Sequence, residues 1–153
     1  MTKTSIRAQV VGERAAYIRE MIRLIRKLPL DAFDRFTGDR RNIAAAESYL
    51  RRALESLFDL SRHILAKGFA QTPAEYEEII RALVEQNILS NEEGRRMREI
   101  AGYRNRMVHF YHEITSREMF DICRSGLDDV EELLSTILRW LKENPAMLNR
   151  TLE

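Results

Sequence analysis

The chain has 153 residues, of which 44% are hydrophobic and 32% charged, and its formal net charge is +1. These values fit one globular domain over residues 1–153, and so small a net charge excludes a protein that holds nucleic acid by bulk electrostatics. The single cysteine, Cys123, excludes an internal disulfide framework and a cysteine-based zinc site, and we expect it to be a small buried apolar residue.

Helical periodicity dominates the sequence, and no segment alternates with the period of a strand. We therefore predict an all-α bundle of about five helices. A first helix over about 6–28 stops near Pro29. Residues 30–37 form a short connector whose phenylalanines cover the core. A long second helix follows over about 39–67, and Gly68 ends it.

Three start signals define the rest of the bundle. Thr72 as N-cap, with Pro73 in the first helical position, opens a third helix that frays around residue 87. A serine or threonine followed three residues later by glutamate opens a fourth helix over about 91–112 and a last one over about 115–144.

No apolar run approaches the roughly 20 residues needed to span a bilayer. The N-terminus also lacks a signal-peptide core, so we expect a soluble, cytoplasmic protein without a membrane segment.

The fourth predicted helix ends with the sequence Arg-Asn-Arg-Met-Val-His-Phe-Tyr over residues 104–111. At about 100° per residue, Asn105 lies about 100° from Arg104, His109 about 140° and Tyr111 about −20°. These side chains would share a polar face about 160° wide on a regular helix. Guanidinium, amide, imidazole and phenol groups all bind phosphate or exchange protons.

This set of groups fits RNA cleavage without a metal. His109 suits proton transfer as general acid or base, Arg104 suits stabilisation of charge on the phosphate, and Asn105 suits orientation of either group. One helix provides one histidine in the right place, so a composite cleft between two copies, and hence a homodimer, is expected. We predict neither a metal site nor a cofactor, because the histidines are not spaced with carboxylates as metal ligands.

Charge is unevenly distributed around this motif. Residues 95–111 hold five arginines against one glutamate, a local charge of +4, whereas residues 75–93 have a local charge of −5. A polyanion is therefore favoured near the motif, and we predict weak RNA-binding roles for Arg98 and Arg106.

The chain resembles the HEPN superfamily of small helical ribonucleases, and within it the HepT-like toxins, over roughly residues 6–140. These proteins have an Arg-x4-6-His-x-Tyr motif with a polar residue directly after the arginine. Arg104, Asn105, His109 and Tyr111 match it without a gap. The resemblance implies a ribonuclease toxin with an RNA substrate and a nucleotidyltransferase antitoxin of the MntA type as partner. It also implies that the antitoxin neutralises the toxin by attaching AMP to Tyr111.

Simpler interpretations remain open from the residues alone. Arg104 can pair with Glu99 or another surface acid, His109 can be a hydrogen-bonded interior histidine, and Tyr111 can be a packing aromatic. His63 can approach the cleft from the second helix. The whole chain can also be a non-catalytic bundle that binds nucleotide or docks a nucleotidyltransferase, or a plain interaction module.

Overall fold

A computed structural model describes residues 5–110 and 113–153. This part of the chain is all-α, as predicted, and its β-structure is limited to an isolated bridge. Seven α-helices lie in the described residues: α1 (Ala8–Arg26), α2 (Phe33–Thr37), α3 (Arg40–Phe69), α4 (Tyr76–Glu85), α5 (Asn91–His109), α6 (Ser116–Asp121) and α7 (Leu127–Glu143). A π-helical segment, Ile122–Gly126, joins α6 to α7, and a 3-10 turn, Pro145–Met147, follows α7.

The long helix α3 is the centre of the bundle, since it packs against α1, α2, α4, α5 and α6. Its predicted start is confirmed: the Asp39 carboxylate caps it by accepting from the Arg41 N–H at 2.9 Å. Among the described residues we find no helix with both the length and the apolar character that a membrane crossing requires. Cys123 is buried as predicted, and burial raises the pKa of its thiol to about 12.

The predicted connector between the first two long helices contains a short helix, α2. Phe36 is fully buried, and the ring of Phe33 meets that of Phe120 edge to face at 5.5 Å between centroids. The expectation that these phenylalanines cover the core is confirmed.

The prediction that Gly68 ends the second helix is wrong. Helix α3 continues through Phe69, and Ala70 adopts the left-handed conformation that caps it, with φ 52°. Gly68 is buried instead, and a Cβ there would lie 2.9 Å from Ile6 Cδ1 and 3.0 Å from Met147 Cε. The glycine is therefore required for close packing rather than for its backbone freedom.

Those two neighbours belong to the two ends of the chain, which pair with each other. The Ile6 N–H donates to the Met147 carbonyl, and the Asn149 N–H donates to the Ile6 carbonyl, both at 2.9 Å. The Asn149 side chain also accepts from the Ala8 N–H at 2.9 Å, so it satisfies one free donor at the start of α1. No local pattern in the sequence predicted this contact.

The predicted start of the third helix is also wrong. Thr72 and Pro73 lie outside α4, which begins at Tyr76 with Glu75 in extended conformation as its N-cap. The Tyr76 ring stacks on Phe58 at 4.1 Å between centroids. This tertiary contact is made by the first residue of α4, and it outweighs the local capping signal upstream.

Helices α4 and α5 form a close antiparallel pair. The turn between them includes Asn87, whose φ of 60° is one that asparagine tolerates better than most residues. A Cβ on Gly94 would lie 2.8 Å from Val84 Cγ2, so glycine permits this close approach. The predicted capping box is confirmed: the Ser90 hydroxyl accepts from the Glu93 N–H at 3.1 Å, and the Glu93 carboxylate accepts from the Ser90 N–H at 2.8 Å.

Helix α5 ends earlier than predicted. Its last residue is His109, and Phe110 leaves the helical region at φ −134° and ψ 42° while its N–H still donates to the Arg106 carbonyl. Tyr111 and His112 lie outside the described residues. The angle predicted for Tyr111 assumed that the helix continues beyond this point.

The last predicted helix begins and ends as expected but is interrupted. Thr115 caps α6 by accepting from the Glu118 N–H at 3.0 Å, and α7 ends at residue 143. Between them, the Ser125 hydroxyl donates to the Asp121 carbonyl at 2.8 Å. Such a bond to the preceding turn competes with regular α-helical hydrogen bonding, which fits the π-helical segment found here.

Candidate functional site

The three motif residues that the structure describes lie on the last two turns of α5. Asn105 and His109 are exposed, whereas the side chain of Arg104 is only 21% exposed. The alternative of an interior histidine is therefore wrong for His109. The motif therefore combines an accessible imidazole and amide with a guanidinium that is largely withdrawn from water.

Arg104 is held by side chains from two elements. Its Nε and Nη2 both donate to Oε1 of Glu55 on α3, at 3.2 and 3.1 Å. Its Nη1 donates to Oδ1 of Asn105 at 3.3 Å. The alternative of a salt bridge to Glu99 or another acid is wrong for Glu99, which accepts from Arg95 at 3.0 Å, but Arg104 does pair with an acid, Glu55.

An aromatic ring lies against the same guanidinium. The Arg104 Cζ is 5.3 Å from the centroid of Tyr76, within range for a cation–π contact. A second guanidinium, of Arg62, lies 5.6 Å from this ring. Burial raises the pKa of the Tyr76 hydroxyl above its ordinary value of 10.0, so the ring is neutral at physiological pH.

Sequence reasoning missed both Glu55 and Tyr76. They are 49 and 28 positions before Arg104, and only the packing of α3 and α4 against α5 brings them together. One feature of the sequence could have indicated Glu55: it is an acid directly after the buried Leu54 and before the buried Ser56. An acidic residue within a mostly buried helical segment indicates a partner elsewhere in the fold.

The two arginines predicted to bind RNA weakly are both in ion pairs. Arg98 Nε lies 3.0 Å from a carboxylate oxygen of Glu77, and Arg106 donates to both oxygens of Glu118 at 2.6 and 2.8 Å. The hydrogen bonds to Glu118 raise the pKa of Arg106. Further acids pair with Arg95 and Arg96, so the local charge of +4 overstates the positive potential of this surface.

The end of α5 also exposes apolar side chains. Val108 is 37% exposed and Phe110 is 50% exposed, on either side of His109 in sequence. The Phe110 ring lies 6.4 Å from the imidazole in an edge-to-face orientation. These two side chains place apolar surface directly beside the exposed imidazole.

His63 lies away from the motif. Its Nε2 accepts from the N–H of Arg7, the N-cap residue of α1, at 3.0 Å. Burial, together with the charges of Lys67, Arg7 and Arg14, lowers the pKa of this imidazole. The alternative that His63 approaches the cleft is therefore not supported, since its acceptor nitrogen is engaged at the start of α1.

Two cavities border the α3–α5 region. The larger, of about 440 Å³, lies on the Tyr103 flank of α5 and includes none of Arg104, Asn105 or His109 in its lining. The smaller, of about 210 Å³, lies between α3 and α5 and is lined by Arg51, whose Nη1 is 3.4 Å from the Glu55 carboxylate. We place the candidate site at the motif, because chemistry rather than cavity size distinguishes it.

Over residues 5–110 and 113–153, no three histidine, cysteine or acidic side chains are grouped to hold a metal.

The sequence of residues 17–137 matches the family model of ribonuclease HepT-like proteins. The chain belongs to this family. The matched region includes every described motif residue as well as Glu55 and Tyr76. No curated protein matches the chain.

Solved structures of similar fold include two toxin–antitoxin complexes. One is a toxin–antitoxin with AMP-PNP, 20% identical, with 84% of this chain and 97% of that chain covered and a TM-score of 0.76. Another is a tri-AMPylated HEPN toxin of Shewanella oneidensis in complex with MNT antitoxin, 20% identical, with 85% and 97% covered and a TM-score of 0.76. A third is YutE of Bacillus subtilis, a cytosolic protein of unknown function, 15% identical, with 88% and 90% covered and a TM-score of 0.72. At these identities the likeness establishes the shared fold.

Proposed function

We propose that this HepT-like protein is a toxin that cleaves RNA as a metal-independent endoribonuclease and is neutralised by a nucleotidyltransferase antitoxin. The observation that carries the proposal is the motif within the region that matches the ribonuclease HepT-like family. Arg104, Asn105 and His109 lie on the last two turns of α5. Family membership supports ribonuclease chemistry, and the accessible imidazole and amide support a site that RNA can reach.

The reaction we propose is an internal transesterification. The RNA 2′-oxygen forms a bond to phosphorus while the bond to the 5′-oxygen breaks, which gives a 2′,3′-cyclic phosphate and a 5′-hydroxyl. His109 takes the proton of the 2′-hydroxyl or supplies one to the leaving 5′-oxygen. Arg104 stabilises the charge that develops on the phosphate oxygens, and Asn105 orients the phosphate or the guanidinium.

The site we propose is shared by two copies of the chain. On α5, His109 lies about 7.5 Å along the axis from Arg104 and about 140° around it, so one helix directs the two groups differently. A second copy supplies the complementary group when the two motifs face each other across a two-fold axis. The exposed side chains of Val108 and Phe110 support this interface, because a partner would bury them.

Arg98 and Arg106 remain proposed as weak RNA contacts. Each would have to share its guanidinium between a carboxylate and a phosphate, because each is already paired in the described structure. We therefore expect them to add little to RNA affinity compared with Arg104.

We propose Tyr111 as the site of AMP attachment, and it lies outside the described residues. The proposal is supported by the motif match and by the AMPylated HEPN toxin among the structures of similar fold. An attached AMP would bring bulk and a negative phosphate to a site that receives RNA phosphate. It would exclude RNA sterically and compete for Arg104.

The first experiment uses purified protein and labelled RNA in the presence of EDTA. We expect wild type to cut and to leave 5′-hydroxyl ends that polynucleotide kinase labels directly. Arg104→Ala and His109→Ala should each lose about 100-fold or more in rate. Arg95→Ala, which removes a paired arginine from the same helix, is the matched control and should retain activity. Equal cleavage by all four proteins would contradict the assignment of Arg104 and His109, and no cleavage by wild type would favour a non-catalytic bundle.

Mixing the two inactive variants tests the shared site. A heterodimer of Arg104→Ala and His109→Ala chains retains one intact guanidinium and one intact imidazole. Refolding the two together should therefore restore part of the cleavage that neither shows alone. No recovery, or a monomer in light scattering with full activity, would contradict the composite cleft.

Co-expression with a nucleotidyltransferase of the MntA type tests the regulation. We expect an intact-mass increase of one or more adenylyl groups, with loss of RNA cleavage. Tyr111→Phe should cleave RNA and arrest growth even with the antitoxin present. A Tyr111→Phe chain that is still modified and neutralised would place the modification elsewhere.

A further inference from the structure

Glu55 is the carboxylate that pairs with Arg104 in the described structure. One of its oxygens, Oε1, accepts from both Nε and Nη2 of Arg104, at 3.2 and 3.1 Å. The two side chains are only 21% and 29% exposed. Glu55 lies on α3 and Arg104 on α5, so their pairing joins the two helices.

The pattern of donors matters because a guanidinium has five N–H groups. Glu55 takes the edge formed by Nε and Nη2, and Asn105 takes one N–H of Nη1. In the described part of the chain, one N–H on Nη1 and one on Nη2 remain without a protein acceptor. We call these two remaining N–H groups the free edge of Arg104, and they are the donors left for the oxygens of a phosphate.

The plane of the guanidinium is fixed from a second direction by Tyr76. Its ring centroid lies 5.3 Å from the Arg104 Cζ, and its own position is fixed by stacking on Phe58 at 4.1 Å. With an edge held by Glu55 and a ring of fixed position nearby, Arg104 loses most of its rotational freedom before any ligand binds.

The charge balance of this group still favours an anion. Arg51 Nη1 lies 3.4 Å from both oxygens of Glu55, so the carboxylate is shared between two guanidinium groups. Arg51, Glu55 and Arg104 together have a net charge of +1. Glu55 therefore orients Arg104 without cancelling the attraction of the cluster for phosphate.

We propose that Glu55 is a positioning residue for the candidate ribonuclease site, which it serves by turning the free edge of Arg104 toward the RNA phosphate. The inference rests on the proposed function and names a residue outside the motif. The opposite role, a carboxylate that blocks Arg104 until RNA displaces it, requires RNA to compete for the occupied edge. The free edge makes that displacement unnecessary.

Three substitutions separate geometry from charge. Glu55→Gln keeps an oxygen at the Oε1 position but removes the charge, whereas Glu55→Asp keeps the charge but withdraws it by one methylene group. Glu55→Ala removes both. Glu99→Ala is the matched control, because it removes another arginine-paired carboxylate, on α5 itself.

Steady-state RNA cleavage is the first measurement. We expect the Asp and Ala variants to lose about tenfold or more in kcat, with KM changed less than about threefold, because orientation acts mainly in the transition state. Glu55→Gln should stay within about threefold of wild type, and Glu99→Ala within about twofold. Faster cleavage by the Ala variant, or an Asp variant equal to wild type beside an inactive Gln variant, would overturn the proposal.

The second measurement does not depend on RNA cleavage. It is the proton NMR signal of the Arg104 Nε–H group, assigned by its loss in Arg104→Lys. In wild type and Glu55→Gln this signal should be sharp, and its proton should exchange slowly with water. It should broaden in the Asp and Ala variants, whose melting temperatures show whether they are folded. An unchanged signal in folded Glu55→Asp or Glu55→Ala would overturn the positioning role. A signal that depends on Glu55 in a wild-type protein that cuts no RNA would instead contradict the proposed function.

Discussion

Arginines at the two ends of helix α5 have different surroundings, and the difference bears on the candidate site. In its first half, Arg95 and Arg98 are paired with exposed glutamates on the surface. Near its end, Arg104 is mostly buried, lies beside an aromatic ring and shares its carboxylate partner with a second arginine. A count of charges along the sequence treats these guanidinium groups as equal, although their surroundings give them different chemistry.

The physical basis of the difference is solvation. Exposed ion pairs contribute little, because water and salt screen both partners. A guanidinium withdrawn from water interacts more strongly with whatever anion reaches it, and its fixed orientation costs no reorganisation at the moment of reaction. The proposed recognition of RNA phosphate therefore depends on Arg104, whereas the ion pairs of Arg95 and Arg98 are expected to contribute mainly to helix stability.

The largest expected effect comes from replacing each kind of arginine by lysine. Arg104→Lys keeps a positive charge but cannot hold Glu55 and a phosphate through separate edges, so RNA cleavage should fall by about 100-fold. Arg98→Lys retains a surface charge near Glu77 and should change the rate by no more than about twofold. Comparable losses in both variants, measured as kcat/KM, would remove the distinction between the two groups.

A smaller effect is expected at the start of the same helix. Ser90→Ala removes the hydroxyl that caps the Glu93 N–H, and it should lower the free energy of unfolding by about 1 kcal/mol. Urea denaturation measures this loss, while RNA cleavage at 25 °C should remain unchanged. Loss of cleavage in a fully folded Ser90→Ala protein would show that the two halves of α5 are coupled.

The two described histidines also differ in their surroundings: His63 is hydrogen-bonded to the start of α1, whereas His109 is exposed. His63 has a pKa below its usual 6.5 because it is partly buried and lies near the positive charges of Lys67, Arg7 and Arg14. The unfolded chain therefore binds this proton more readily than the folded chain. Stability due to His63 is complete above about pH 6.5 and is lost as pH falls through the lower folded pKa.

His63→Gln keeps a side-chain acceptor but cannot titrate, so it isolates the contribution of His63. Denaturation between pH 7.5 and 5 should show wild type losing stability relative to His63→Gln as the solution becomes acidic. Parallel curves for the two proteins would contradict the assigned hydrogen bond.

The smallest effect is expected from Arg98→Ala. Because its ion pair with Glu77 is exposed, the free energy of unfolding should change by less than about 0.5 kcal/mol. RNA affinity should weaken slightly and with a reduced salt slope if Arg98 contacts phosphate at all. Binding titrations at two salt concentrations measure this, and a large loss of affinity would mean that the Glu77 pair opens for RNA.

Much of the fold was predictable because its signals are local. The apolar period of a long helix and the Ser90 capping box act within a few residues, and both lie where predicted. The motif at the end of α5 was visible for the same reason, since its spacing is read along one helix. Tyr111, the proposed modification site, remains a prediction of the sequence and lies outside the described residues.

The failed predictions share the opposite property. Gly68 was interpreted as a helix terminator, but the packing of the two chain ends over it explains the glycine. Thr72 was interpreted as a helix start, but α4 begins where Tyr76 stacks on Phe58. In both cases the observed structure follows a contact between distant segments, which the local sequence pattern does not include.

The sequence by itself determined an all-α chain with a guanidinium, an amide and an imidazole near the end of one helix. Only the tertiary structure decided which arginine would be withdrawn from water, because burial and partners depend on how helices pack. Glu55 and Tyr76 become neighbours of Arg104 through the packing of α3 and α4 against α5. Desolvation and orientation are properties of that packing, and they distinguish Arg104 from the surface arginines of the same helix.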